Sequence, residues 1–174
     1  MAKIFDLVDN QVVVKPESLL IYPFSEIWAR DKSKDKNKAF KEITYIWFYT
    51  DFDSVFYEYE ESNRHKTICE DVIMDKNYKP DALVTKAIEA YKKYSTTPTM
   101  EMLEAQIKVI HKMKLYFEEI DFTEDDIDKV TNSIIKVPKL MEAINQAKEI
   151  CRKEQQTGER VIGNKSQSMF EDGD

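Results

Sequence analysis

Glycine is nearly missing from this chain. Only three occur in 174 residues, at Gly158, Gly163 and Gly173, so the first 157 residues contain none. Phosphate-cradling loops and dinucleotide fingerprints need glycine, because the backbone must approach the ligand closely and adopt positive φ. P-loop and Rossmann chemistry are therefore excluded. Cysteine is scarce as well: Cys69 and Cys151 lie far apart, without the short Cys-x-x-Cys spacing of zinc or redox pairs. Two small core residues in a reducing compartment are the expectation. No basic excess exists, since 33 acids outweigh 26 bases for a net charge of −7, which argues against a general nucleic-acid binder. Long apolar runs are absent too. The longest nearly uncharged one, Ile43 to Thr50, is far short of the ~20 residues that cross a bilayer. The opening Met-Ala-Lys-Ile-Phe-Asp carries no basic, apolar, small-residue leader, so neither secretion nor a membrane role is expected.

What is present reads as a mainly α protein. With 42% apolar side chains the chain can bury one core without staples, and five prolines, well placed at first helical turns, punctuate it. Ile4 to Lys15 holds two short β-rich runs flanking Asp9-Asn10, which predicts a hairpin or extended arm over about 1–15. Pro16 opens a short helix through Ile21, and Pro23 another through Arg30. Asp31 to Lys38 is a charged connector. Ala39 to Thr50 is apolar on nearly all sides and is expected at the centre of the fold. A polar helix is expected over Tyr57 to Met74, and another from Pro80-Asp81 to about Ser95. Next, Met100, Leu103, Ile107, Ile110 and Phe117 share one helical face, and Thr123 with Asp126 resembles a capping box. Ile127, Val130, Ile134, Val137, Met141, Ile144, Ala147 and Cys151 then keep steps of three and four through Pro138, predicting two helices or one bent helix. Beyond Gln156 the periodicity stops. The expected organisation is a helical bundle over 1–156 with a flexible C-terminal tail over 157–174 that orders on contact with a partner.

Three polar constellations invite a chemical reading. Asp31 to Glu42 sets oxygen-bearing residues at positions 1, 3, 5, 7 and 12 of a calcium loop, but position 6 is Lys36 and five lysines repel a divalent cation. A solvated connector, or a basic finger contacting an acidic partner or phosphate, fits the segment better. Asp51, Asp53, Glu58, Glu60, Glu61, His65, Glu70 and Asp71 form an acidic cluster. Neither Glu-x-x-His nor His-Glu-x-x-His occurs there, so a solvated face with i,i+4 pairs is the default. The stretch Glu118 to Asp128 holds seven acids and no base, suiting either a helix cap or a surface that repels DNA. No nucleophile pattern stands out. The expectation is a protein that is not an enzyme, with no catalytic, cofactor or metal site and no small-molecule substrate.

Aromatic residues are concentrated instead. Twelve of the twenty lie in 38 residues, from Tyr22 to Tyr59. So many large rings would overfill a small interior, which predicts that some, represented by Trp28, Trp47, Phe52, Phe56 and Tyr57, sit at contacts with other subunits. In the tail, the apolar pairs Val161-Ile162 and Met169-Phe170 suit docking on a neighbour as a strand or hooked arm.

Leu19-Leu-Ile-Tyr-Pro-Phe-Ser-Glu-Ile-Trp-Ala-Arg-Asp-Lys-Ser-Lys-Asp-Lys, Ala39-Phe-Lys-Glu-Ile-Thr-Tyr-Ile-Trp-Phe, Asp51-Phe-Asp-Ser and Tyr59-Glu-Glu-Ser-Asn-Arg64 together carry a family likeness. Over about the first 75 residues the chain resembles virion structural proteins of the crAss-like tailed bacteriophages, of the head-to-tail connector type. The resemblance implies a homo-oligomeric ring, typically twelve-membered, between portal and tail, through which DNA passes without specific contact. It also implies portal and neighbouring ring or tail proteins as partners, assembly in the host bacterial cytoplasm into the virion, and no catalytic residues. The alternative from another class is a small regulatory or nucleic-acid-handling phage protein acting through the lysine-rich segment 31–41.

Overall fold

A computed structural model describes residues 4–9, 11–119 and 124–167, as backbone alone over 124–126 and 158–167. The chain is mainly helical. Strands β1 (Phe5–Val8) and β2 (Gln11–Val14) form an antiparallel hairpin with Phe5 opposite Val14. A 3-10 turn over Pro16–Leu20 leads into six helices: α1 (Phe24–Arg30), α2 (Asn37–Thr50), α3 (Glu61–Asp71), α4 (Ala82–Ser95), α5 (Pro98–Glu119) and α6 (Glu124–Gln167). Contacts divide this into two compact units, one built on residues up to Thr96 and one spanning Thr97–Thr157.

In the first unit, α2 is the centre, as its all-round apolarity predicts. Ala39, Ile43, Tyr45, Ile46, Trp47 and Phe48 are all buried, and α2 touches α1, α3, α4 and β2. Phe5 ties the hairpin into this core: its ring meets Phe24 edge-on at 5.2 Å and stacks on Tyr91 at 5.9 Å. One buried carboxylate borders it. Glu42, on α2, forms an ion pair with Arg30 at 2.7 Å, and the same guanidinium donates to Asp81 at 2.6 Å. Asp81 in turn caps α4, accepting from the amides of Leu83 and Val84, which explains why that helix begins where Pro80-Asp81 predicts. Because glycine is missing, left-handed backbone falls on Asp9, Lys36 and Met74, with φ of 50°, 52° and 53°. Asp tolerates that conformation; lysine and methionine do so less readily.

Helix α3 starts four residues later than expected, at Glu61 instead of Tyr57. Side chains that compete for the backbone explain the delay. Asp51 accepts from the Asp53 amide, while Ser54 accepts from the Phe56 amide and donates to the Phe48 carbonyl. The 51–60 segment is therefore a series of turns.

In the second unit α5 and α6 run antiparallel. Thr97 and Thr99, at the start of α5, donate to Glu154 near the far end of α6, at 3.0 and 2.6 Å. Met100, Leu103 and Ile107 on α5 are buried, as are Val130, Ile144, Ala147 and Cys151 on α6. Pro138 lies within α6, which is assigned as one helix across it. The helical backbone continues through Gln167, past Gln156 where the loss of periodicity places the start of a tail; residues 168–174 lie outside the described residues.

Candidate functional site

The rings expected at subunit contacts are mostly interior. Trp47, Phe52, Phe56 and Tyr57 are all buried, and only Trp28 is half-exposed, edge-on to Phe40 at 5.1 Å. Their burial has a simple physical reason: the turns of 51–60 fold back over α2, so rings close in sequence meet one another, as Phe48 and Phe56 do edge-on at 5.7 Å. The volume that seemed too large is taken up locally. Val161, Ile162, Met169 and Phe170 have side chains outside the described residues.

Arg64 holds those turns in place. Its guanidinium donates to the carbonyls of Tyr49 at 3.1 Å, Tyr59 at 3.0 Å and Tyr57, and lies over the rings of Tyr49 and Tyr57. No spacing in the sequence announces this role, because the carbonyls of any residue type would serve.

The calcium-like segment is satisfied by its own chain. The Asp31 carboxylate accepts from Ser33 N and Oγ at 2.9 and 2.7 Å, and from the Ala39 amide at 3.0 Å. The Ala39 amide, then Ser33, hold this carboxyl down at about 2. Lys36 donates to the carbonyls of Trp28 and Asp31, so an ammonium closes the loop from within. Lys41 pairs with Asp75 at 3.2 Å, whereas Lys32, Lys34 and Lys38 are exposed.

The acidic cluster is likewise dispersed. Asp51 is buried and accepts from Tyr91 Oη at 2.5 Å; Glu61 accepts from Tyr49 Oη at 2.9 Å. His65 Nδ1 bonds Tyr45 Oη at 2.7 Å and lies 3.7 Å from the Cys69 sulfur. This Cys-His proximity is new relative to the sequence. Burial pushes the Cys69 thiol up, which keeps it from the thiolate form that a nucleophile or soft-metal ligand requires. Burial also pushes Tyr45 up, and Tyr49 to about 12, so both phenols keep their protons. Among the described residues no group of three or more His, Cys, Asp or Glu is placed to hold a metal, and no helix is long and apolar enough to cross a membrane.

Both units leave large apolar side chains exposed, Leu20, Val55 and Met74 among them in the first; in the second they are ordered along two helices. Met102, Val109 and Tyr116 on α5 are 60%, 46% and 46% exposed, and Ile127, Ile134 and Met141 on α6 are 50%, 53% and 40% exposed. Each set recurs every seven residues, which places it in one stripe along its helix. The α6 residues belong to the periodic run read from sequence, but that run divides: Val130, Ile144, Ala147 and Cys151 are buried while these three are left outside. The α5 stripe is separate from the face Met100 to Phe117 expected to be core. Its signal was available as a second seven-residue repeat. Beside it lies a groove of about 210 Å³ lined by Val109, Met113, Tyr116, Phe117 and Ser133, and a neighbouring one of about 270 Å³ involves Ile110 and Val137. No family model, curated protein or solved structure matches the chain.

Proposed function

We propose that this chain is a non-enzymatic assembly protein whose second unit grips other copies of itself. One observation carries the reading. Nine large apolar side chains of that unit are exposed by 40% or more, six of them in two stripes of seven-residue period. Scattered surface apolars need no explanation, but a continuous stripe is what a helix offers to another helix. The buried acids and histidine of the first unit are engaged with partners from the same chain, which supports a structural role for them over a chemical one.

The finer reading is a connector subunit of a tailed phage, lying in a ring between portal and tail. Its support is the N-terminal likeness together with the stripes. Two measurements test it: proteomics of purified particles of the phage encoding the chain, and solution mass of the chain alone and after mixing with portal. Presence in particles and a mass increase with portal are expected; absence from particles and an unchanged mass would overturn it. A nucleic-acid-handling role through 31–41 would rest on Lys32, Lys34 and Lys38. Three phosphate contacts give a slope of log affinity on log salt of only about −2.7, a weak interaction. Salt-sensitive DNA retention by the isolated chain would favour that alternative.

A further inference from the structure

We draw no further inference here: the strongest candidate, the apolar groove along α5 and α6 lined by Val109, Met113, Tyr116 and Phe117, belongs to the surface already described, and nothing in the structure shows what covers it.

Discussion

Replacing Arg64 with alanine should destabilise the first unit by about 3 kcal/mol, through loss of one side chain that no sequence pattern marks. The guanidinium donates to one carbonyl at the end of α2 and two in the 51–60 turns, and lies 5.7 Å and 5.1 Å from the ring centres of Tyr49 and Tyr57. Hydrogen bonds from a charged donor contribute about 1.5–3 kcal/mol each, and a ring contact about 0.5–2. Their plain sum is too large. The Tyr59 contact is exposed, so water replaces the lost donor there, and the buried Nε–H has no acceptor, a penalty of about 1–3 kcal/mol already present in the native protein. About 3 kcal/mol is left. Arg64→Lys should lose roughly half of that, because an ammonium keeps the charge but cannot span the three carbonyls as the planar fork does. The assay is urea unfolding followed by tryptophan fluorescence. Trp28 and Trp47 are the only tryptophans and both lie in the first unit, so the signal reports that unit alone. With m of about 1–2 kcal/mol per molar, the alanine midpoint should fall by about 1.5–3 M. A shift under about 0.5 M, or a lysine variant equal to the parent, would refute the clasp.

Three further outcomes follow from particular contacts. Asp31→Asn should lower the melting temperature at pH 7. The folded carboxyl titrates at about 2, below its ordinary 3.8, so its contribution is complete above about pH 4 and lost as pH falls towards 2; the gap between parent and variant should close over that window in calorimetry. Tyr91→Phe removes the donor to buried Asp51 and should cost about 1.5–3 kcal/mol in urea unfolding. Pairing it with Asp51→Asn should cost less than the sum of the two, since both changes remove the same contact. Ile134→Glu should change stability by no more than about 0.5 kcal/mol, yet abolish the mass increase with portal; a retained increase would exclude the α6 stripe as the contact.

The fold was legible wherever a local rule sufficed. The hairpin, the start of α4 at its Asp81 cap and the central burial of α2 follow from β-rich runs, a capping residue and all-round apolarity. The start of α3 was not legible, because it depends on Ser54 and Arg64 reaching backbone atoms six to fifteen residues away. The burial of the aromatic cluster was not legible for a related reason. Counting rings does not reveal that Phe48 and Phe56 meet edge-on locally, and a run of steps of three and four on α6 does not say which half of it a single partner helix can cover. Val130 and Ile144 are hidden while Ile134 and Met141, on the same run, are not.

Each unit leaves large apolar side chains exposed, but the two enclose their buried ones differently. The first unit has several elements arranged around α2, so a ring leaving one contact finds another: Phe5 meets Phe24 and Tyr91, and Tyr45 meets Tyr49, Tyr78 and His65. Its core closes on itself. The described part of the second unit is two helices, and a pair of helices has one mutual interface, wide enough for about one apolar stripe from each. Both α5 and α6 carry a second stripe, displaced from the first by more than that interface can rotate to cover. The surplus is thus geometric and does not depend on how hydrophobic the chain is as a whole. Adding a further helix from another copy is the means by which such a layer becomes enclosed, which is why the proposed assembly is assigned to the stripes and not to the aromatic cluster.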